Sequence, residues 1–382
     1  MKKLLYVVNV DWYFALHWKN RMIAAQDSGY EVHVALTPSD GAVLVDLRSY
    51  GVHIHELELD RSSVNPFREL KALVSIMRLI RRVGPDLVHS ITIKPNIYVG
   101  VVAFFLRLPL VVSFPGLGKV FLRDTRYFRI LQGWLLWFFR RIFDRRSCVV
   151  LTENGEDSEI LKSRGCYHKG LIKSVPGAGI DLEVFRMKGR KGRGSGPLQI
   201  LFAGRLYRNK GLDFLVDAVN TLQSFGESVS LVVAGVIDEH SAGAYKLSEI
   251  IELERQGLID WRGAVENMPE LISSVDVVCV PSLTREGLPR VLLEGMACGK
   301  PVITTNVAGC REPFIRTSEE FGFIVEPGDV EGLMGKLKFL IDSPYERGRL
   351  GTSGRRLIEE IYADNYVISE MEQAYERVMS GN

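Results

Sequence analysis

The 382-residue chain has few cysteines, and the five present (Cys148, Cys166, Cys279, Cys298 and Cys310) show no paired metal-ligand spacing. That excludes a cysteine-built zinc or iron–sulfur centre. Cys279 and Cys298 sit in apolar contexts and read as small core residues. The chain also lacks a run of eighteen uncharged apolar residues. The nearest, residues 97–114, contains Arg107 and Pro109 and reads as a core helix followed by a strand, not as a membrane span. Lys2 and Lys3 precede a short strand rather than a long apolar region with a cleavage site. No signal peptide is therefore expected, and a reducing cytoplasm is the simplest compartment. No Gly-x-Gly-x-x-Gly follows the first strand, so the usual dinucleotide fingerprint is missing. No Asp-x-Asp occurs anywhere in the sequence.

What is present is ordinary for a soluble globular protein, with 46% apolar and 25% charged residues. The length exceeds one typical domain, and two are expected. The net charge of +2 hides an asymmetry: residues 1–190 hold 28 Lys+Arg against 18 Asp+Glu, and the remainder holds 20 against 28. A basic first half suits an anionic surface or substrate. Short apolar runs at residues 4–10, 31–36, 52–57, 85–90, 110–114 and 149–152 read as buried parallel strands. Runs at 199–203, 230–234, 259–261 and 275–280 read as a second sheet. Between them lie a loop at 9–14, helices at 15–28, 69–83 and 98–107, and a long amphipathic helix at 358–379. Asn154 can cap the helix after the sixth strand. A Gly- and basic-rich linker at 187–197 ends the first domain.

The stretch that organises the chain is 280–312, V-P-S-L-T-R-E-G-L-P-R-V-L-L-E-G-M-A-C-G-K-P-V-I-T-T-N-V-A-G-C-R-E. A strand ends at Pro281, and a polar loop carries Glu286 and Gly287. Pro289 suits a first helical position, where its missing N–H costs nothing. Val291, Leu292, Leu293 and Met296 build a helix that Gly299 and Pro301 end. The free N–H groups near Gly287 to Arg290 form an anion site, and a glycine there lets a ligand approach the backbone. Two flanking carboxylates suit hydroxyls rather than phosphate. A ligand with a central diphosphate and polyols at both ends fits: a nucleotide-sugar. After the strand ending at Ala203, Gly204 permits close approach, Arg205 offers a planar fork for phosphate oxygens, and Lys210 adds charge at a helix start.

Glu286 and Glu294, with seven residues between them, resemble the E-x7-E motif of retaining glycosyltransferases. The wider string P-S-x-x-x-E-G-L-P-R-V-L-L-E-G-M-A-C-G-K-P-V resembles glycosyltransferase family 4. The resemblance spans nearly the whole chain and is strongest over 199–312. It implies the α/β GT-B fold, two facing Rossmann-like, doubly wound domains with a cleft between them. The acceptor-side domain would cover residues 1–190 plus a C-terminal helix at about 362–382, and the donor domain residues 197–361. It also implies transfer from a UDP-sugar to a hydroxyl with retained anomeric configuration. Residues matching Arg205 and Lys210 bind the donor diphosphate in the family. With Leu288, Pro289 and Arg290 they would stabilise the departing group as its charge grows. Glu294 would hold the ribose and Glu286 the transferred sugar, so Glu286, Arg205 and Lys210 are the catalytic candidates. Gly204, Gly235, Ala264, Val265 and Gly287 complete the donor site, the segment around Ala264 holding the base. No metal or other cofactor is expected, because cations and a helix terminus do what a metal otherwise would.

The first half resembles the family's acceptor side, with Asp11, His17, Arg21, His89, Lys94, Asn96, Gly116 and Gly118 as acceptor-side candidates. Stretches around His17, 60–67 and 85–118 look closest to bacterial transferases that extend undecaprenyl-diphosphate-linked sugars with an N-acetylhexosamine. Pro115 stands where many relatives have a histidine that positions the donor sugar; that role is empty here, or His89 covers it. Residues 121–146 interleave Trp134, Trp137, Phe138, Phe139 and Phe143 with seven arginines. Such a helix suits the surface of an anionic membrane, or else a domain with one buried and one solvated face. The implied partners are a UDP-sugar, a lipid-linked saccharide and the cytoplasmic face of the inner membrane, with no nucleic acid. Two rivals stay open: a nucleotide-sugar epimerase of the same fold, which needs no lipid acceptor, and a non-catalytic sugar-binding partner.

Overall fold

A computed structural model describes residues 1–39, 41–59, 65–117, 125–165, 171–177, 179–187, 196–239, 241 and 243–380. The chain forms two compact units, Met1–Gly179 with Asp364–Asn382, and Ile180–Ala363.

The first unit alternates strand and helix in the order β1 (Lys2–Val7), α1 (Asp11–Asp27), β2 (Tyr30–Leu36), α2 (Gly41–Ser49), β3 (His53–Glu56), α3 (Pro66–Val83) and β4 (Leu87–Ile91). It continues with α4 (Ile93–Leu106), β5 (Leu110–Phe114), α5 (Arg126–Phe143), β6 (Cys148–Thr152), α6 (Gly155–Gly165) and β7 (Leu171–Ser174). All seven strands pair in parallel in the order β3-β2-β1-β4-β5-β6-β7. Every residue of β4, β5 and β6 is buried, as continuous apolar runs in a sheet covered on both faces should be. One face packs Leu5, Val7, Ile76, Val102, Phe139 and Phe143; the other packs Leu4, Phe14, Trp18, Met22, Leu47 and Met371.

The second unit runs β8 (Leu198–Ala203), α7 (Leu212–Ser224), β9 (Val229–Ala234), α8 (Leu247–Arg255), β10 (Asp260–Trp261), α9 (Met268–Ser274) and β11 (Val277–Val280). Then come α10 (Arg290–Ala297), β12 (Val302–Thr305), β13 (Gly322–Val325), α11 (Val330–Asp342) and α12 (Pro344–Leu357). Its six strands are parallel in the order β10-β9-β8-β11-β12-β13. The last helix, α13 (Asp364–Ser380), belongs to the first unit, where Val367, Met371 and Tyr375 join the core.

Local chemistry explains most boundaries. Asn65 caps α3 by accepting from the Phe67 amide at 3.0 Å, with Pro66 in the first turn. Asn154 caps α6 through the Asp157 amide at 2.8 Å, as the sequence suggests. Three boundaries differ from expectation. Residues 11–14 are the first turn of α1, not a loop. The helix α4 begins five residues early, at Ile93, because Asn96 N–H already bonds to Thr92 O at 3.0 Å. The single helix expected at 358–379 is broken. A widened turn at Ile358–Tyr362 continues α12, and Ala363 is extended because it bridges to Ile180, whose amide donates to Tyr362 O at 2.8 Å. Residues 180–187 sit in the second unit, where Arg355 donates to Phe185 O at 2.7 Å. Residues 188–195 of the expected linker lie outside the described residues.

Candidate functional site

Open parallel sheets hold ligands beyond the carboxyl ends of their strands, where the strand order reverses. In the second sheet that place lies between β8 and β11. The sequence puts Gly204, Arg205 and Lys210 after β8, and Ser282 to Arg290 after β11. The structure brings these two segments together. Leu283 N–H donates to Asn209 O at 2.8 Å, and Asn209 Nδ2 donates to Thr284 Oγ1 at 3.0 Å. Lys210 Nζ then donates to Glu286 Oε2, and Ser282 Oγ donates to Glu286 Oε1. The Lys210 and Glu286 side chains are 24% and 11% exposed, so this pair is largely withdrawn from solvent but still reachable.

The loop carrying Glu286 is held from below. Glu286 N–H donates to Ala308 O at 3.1 Å, and Thr304 Oγ1 donates to Val280 O at 2.8 Å. Gly309 has φ +82°, and a Cβ there would lie 1.4 Å from Gly287 O. Only glycine allows that approach. The same holds at the neighbouring strand tips: Gly235 has φ +156°, and its Cβ would lie 1.9 Å from Gly204 O. Gly235 N–H donates to Gly263 O at 2.8 Å, which carries the line of strand ends on to Ala264 and Val265. Arg205 is exposed, with its guanidinium 4.9 Å over the Tyr207 ring.

The helix α10 begins at Arg290, and Pro289 is its cap residue, one position earlier than the sequence suggests. Pro289 carries no polar side chain to cap this end, so it leaves the amides at the helix start without a cap from that residue. Leu288 and Pro289 are buried, while Gly287 and Arg290 are half-buried. Glu294, 7% exposed, lies on α10 and accepts from Arg290 Nε at 2.7 Å. Burial pushes its pKa up, and the Arg290 charge partly offsets this. Sequence reasoning missed Ser282, Asn209 and Gly309 as supports of this site. Ser282 is legible in hindsight, since it stands four residues before Glu286 in the string that carried the resemblance.

The acceptor-side candidates in the first unit do not gather in the same way. Asp11 is fully buried, and its carboxylate accepts from the amides of Trp12 (2.7 Å) and Ser39 (2.8 Å) and from the Ser39 hydroxyl. It fastens the start of α1 to the segment after β2. His89 lies in the middle of β4 and is fully buried. Its Nδ1 is 2.7 Å from the Tyr375 hydroxyl and its Nε2 is 2.8 Å from Ser113 Oγ. Burial, then the nearby Arg21 charge, lowers its pKa well below the usual histidine value. Such a ring is a neutral core group joining β4, β5 and α13. Asn96 is buried too, donating to Ser113 O at 2.9 Å. His17 is half-buried against Tyr13, and Lys94 pairs with Glu69 at 3.0 Å. Arg21 is buried, stacks 4.3 Å over Trp18 and donates to Gly177 O. It lines a small hollow with Ser113, Thr152 and Glu153. Gly116 follows β5 and is half-buried, and Gly118 lies outside the described residues.

Comparison with known proteins places this geometry in a lineage. Residues 3–145 match the family described as glycosyl transferase 4-like, and residues 197–343 match glycosyl transferases group 1. CapM of Staphylococcus aureus, a capsular polysaccharide biosynthesis glycosyltransferase, is 24% identical over 90% of this chain and 89% of that protein. The N,N'-diacetylbacillosaminyl-diphospho-undecaprenol alpha-1,3-N-acetylgalactosaminyltransferase of Campylobacter jejuni is 23% identical over 95% of this chain and 96% of its own length. A crystal structure of Anabaena HepE in complex with UDP and glucose shares the fold, with a TM-score of 0.77 at 17% identity over 98% of this chain and 100% of that one. With a family match in each half and relatives similar along nearly its full length, the chain belongs to the family 4 glycosyltransferases.

Proposed function

We propose that this glycosyltransferase moves an N-acetylhexosamine from a UDP-sugar to a hydroxyl of a lipid-diphosphate-linked saccharide, retaining the anomeric configuration, in bacterial surface glycan assembly. The observation that carries the reading is the convergence of Lys210, Glu286 and Ser282, with Arg205 and the start of α10, at the switch point of the second sheet. As the bond from the sugar to the diphosphate breaks, its electron pair goes to the leaving oxygen. Arg205, Lys210 and the first amides of α10 are the groups that stabilise that charge. Lys210 pairs with Glu286, and in the donor complex the diphosphate engages the cation while the sugar's hydroxyls engage the carboxylate. Glu294 holds the ribose, and no metal is required. The UDP in the HepE complexes and the undecaprenyl-diphosphate substrate in the Campylobacter relative's name support the donor and acceptor classes.

A lipid-linked acceptor requires access to a membrane surface. Among the described residues no helix is long and apolar enough to cross a membrane. The helix α5 instead presents Ile130, Trp134 and Trp137 outward, at 57%, 66% and 58% exposure, beside exposed Arg126, Arg129, Arg140 and Arg141. Rings and arginines on one outer face suit peripheral binding at the cytoplasmic leaflet. The test is a screen of UDP-sugars against polyprenyl-diphosphate saccharides. Product with a UDP-N-acetylhexosamine only when acceptor is present supports the proposal. A new sugar epimer formed from donor alone would establish an epimerase instead.

A further inference from the structure

Away from the donor residues, β2 and β3 carry a cluster that glycosyl transfer does not use. Their register places His33 opposite His53, and Ala35 opposite His55. Side chains alternate along a strand, so Glu31, His33, His53 and His55 project from one face. His33 Nε2 lies 3.0 Å from Glu31 Oε1, and His53 Nε2 lies 3.8 Å from the same oxygen. The two imidazoles stack with centroids 4.7 Å apart and planes 21° from parallel. Among the described residues, Glu31, His33 and His53 form a group whose ligand atoms all lie within 4.8 Å of one another.

That spacing suits an ion. Ligands at 2.0–2.1 Å from a tetrahedral centre stand about 3.3 Å from each other. Two of the three ligand separations fall on either side of that value and none exceeds 4.8 Å, so side-chain rotations would centre a metal. The second shell is also in place. An imidazole ligating through Nε2 carries its proton on Nδ1 and needs an acceptor there. His33 Nδ1 lies 3.0 Å from His55 Nε2. The competing cation is Lys3, whose Nζ is 3.9 Å from Glu31 Oε1 and also donates to Val83 O at 3.3 Å.

We propose that Glu31, His33 and His53 bind one divalent transition ion of the zinc class, with His55 orienting His33 and water completing the shell. Two imidazoles and a carboxylate favour such an ion over magnesium or calcium, which prefer oxygen ligands. The cluster occupies the amino-terminal parts of its strands, the end away from where such sheets hold substrates. Its effect is structural: the ion links β2 to β3, the edge strand of the first sheet.

The test uses the full chain without an affinity tag, titrated with zinc against a chromophoric chelator and followed in parallel by thermal unfolding. One equivalent should bind at micromolar zinc or tighter, and Tm should rise with it. Glu31→Gln and His53→Gln should abolish that equivalent and the rise in Tm. The His53 side chain is 58% exposed, so its variant should fold as the parent does. His55→Gln should weaken binding about 10–100-fold, as loss of a second-shell partner does. A folded wild-type chain that takes up no zinc at micromolar concentration, or a His53→Gln variant that binds as tightly as the parent, would overturn the assignment.

Discussion

Glu286 and Glu294 are the same residue type in one motif, yet their surroundings differ. Glu286 sits in a loop and accepts from a lysine and a serine; Glu294 is buried on a helix beside Arg290. Glu294→Gln should therefore mainly weaken UDP binding, by about 10–100-fold for a charged hydrogen bond worth about 1.5–3 kcal/mol. Glu286→Gln should mainly lower turnover with saturating donor. Calorimetric titration with UDP separates the two, and an equal loss of UDP affinity in both variants would contradict the division. His89 shows how far residue type alone can mislead. A histidine near a strand end in an α/β protein reads as a ligand contact, but here both ring nitrogens face buried hydroxyls. Its folded-state pKa lies below the unfolded value near 6.5, so the unfolded chain binds more protons in that window. Stability should fall as pH drops below about 6.5. The buried His89 ring thus contributes a slope of stability against pH. His89→Gln should make it shallower, measured by denaturant midpoints between pH 7.5 and 5.

At the scale of elements, strands buried along their whole length, such as β4, β5 and β6, were the most legible part, because they read as near-continuous apolar runs; β7, β12 and β13 were not read as strands. Helix starts were harder. The turn at Asp11 is polar and aromatic, and nothing in the local pattern reveals that Asp11 will be buried by the segment around Ser39. The break at Ala363 is set by its bridge to Ile180, a partner 183 positions away in the sequence. On α5 the sequence shows a mixture of aromatics and arginines but not which ring faces where. The structure sorts them: Phe139 and Phe143 are core, Phe138 is half-buried against it, and Trp134 and Trp137 face out. Replacing Trp134 and Trp137 together with Ala should leave the unfolding midpoint nearly unchanged and weaken co-sedimentation with anionic vesicles. Phe139→Ala should cost about 3–5 kcal/mol of stability instead. Salt should reverse part of the wild-type vesicle binding, since it screens the arginines and not ring insertion. A wild-type chain that ignores anionic vesicles at low salt would show that α5 is only a domain helix.

Across the whole molecule, the two halves differ in how much their sequences reveal. In the second unit the groups singled out from the sequence sit at one end of one sheet: a strand tip with Gly204 and Arg205, Lys210 before a helix, and Glu286 and Glu294 on either side of a helix start. They lie in two short strings, 204–210 and 286–294, and the strand order that sets β8 beside β11 brings Lys210 to Glu286. The acceptor half could not be read to the same depth. Its candidates Asp11, His89 and Asn96 are buried in internal hydrogen bonds, and acceptor recognition depends on shape that no short string encodes. The claim on which everything else rests is that Arg205 and Lys210 stabilise the departing diphosphate without a metal ion. It is tested by measuring turnover, with saturating UDP-sugar and excess chelator, for the wild type and for Arg205→Ala and Lys210→Ala. The account predicts an active wild type and a loss of roughly 100- to 1000-fold in each variant, equivalent to about 2.7–4 kcal/mol of transition-state stabilisation. Near-normal turnover in both variants, or a wild type that stays folded in the chelator yet is silenced by it, would contradict it.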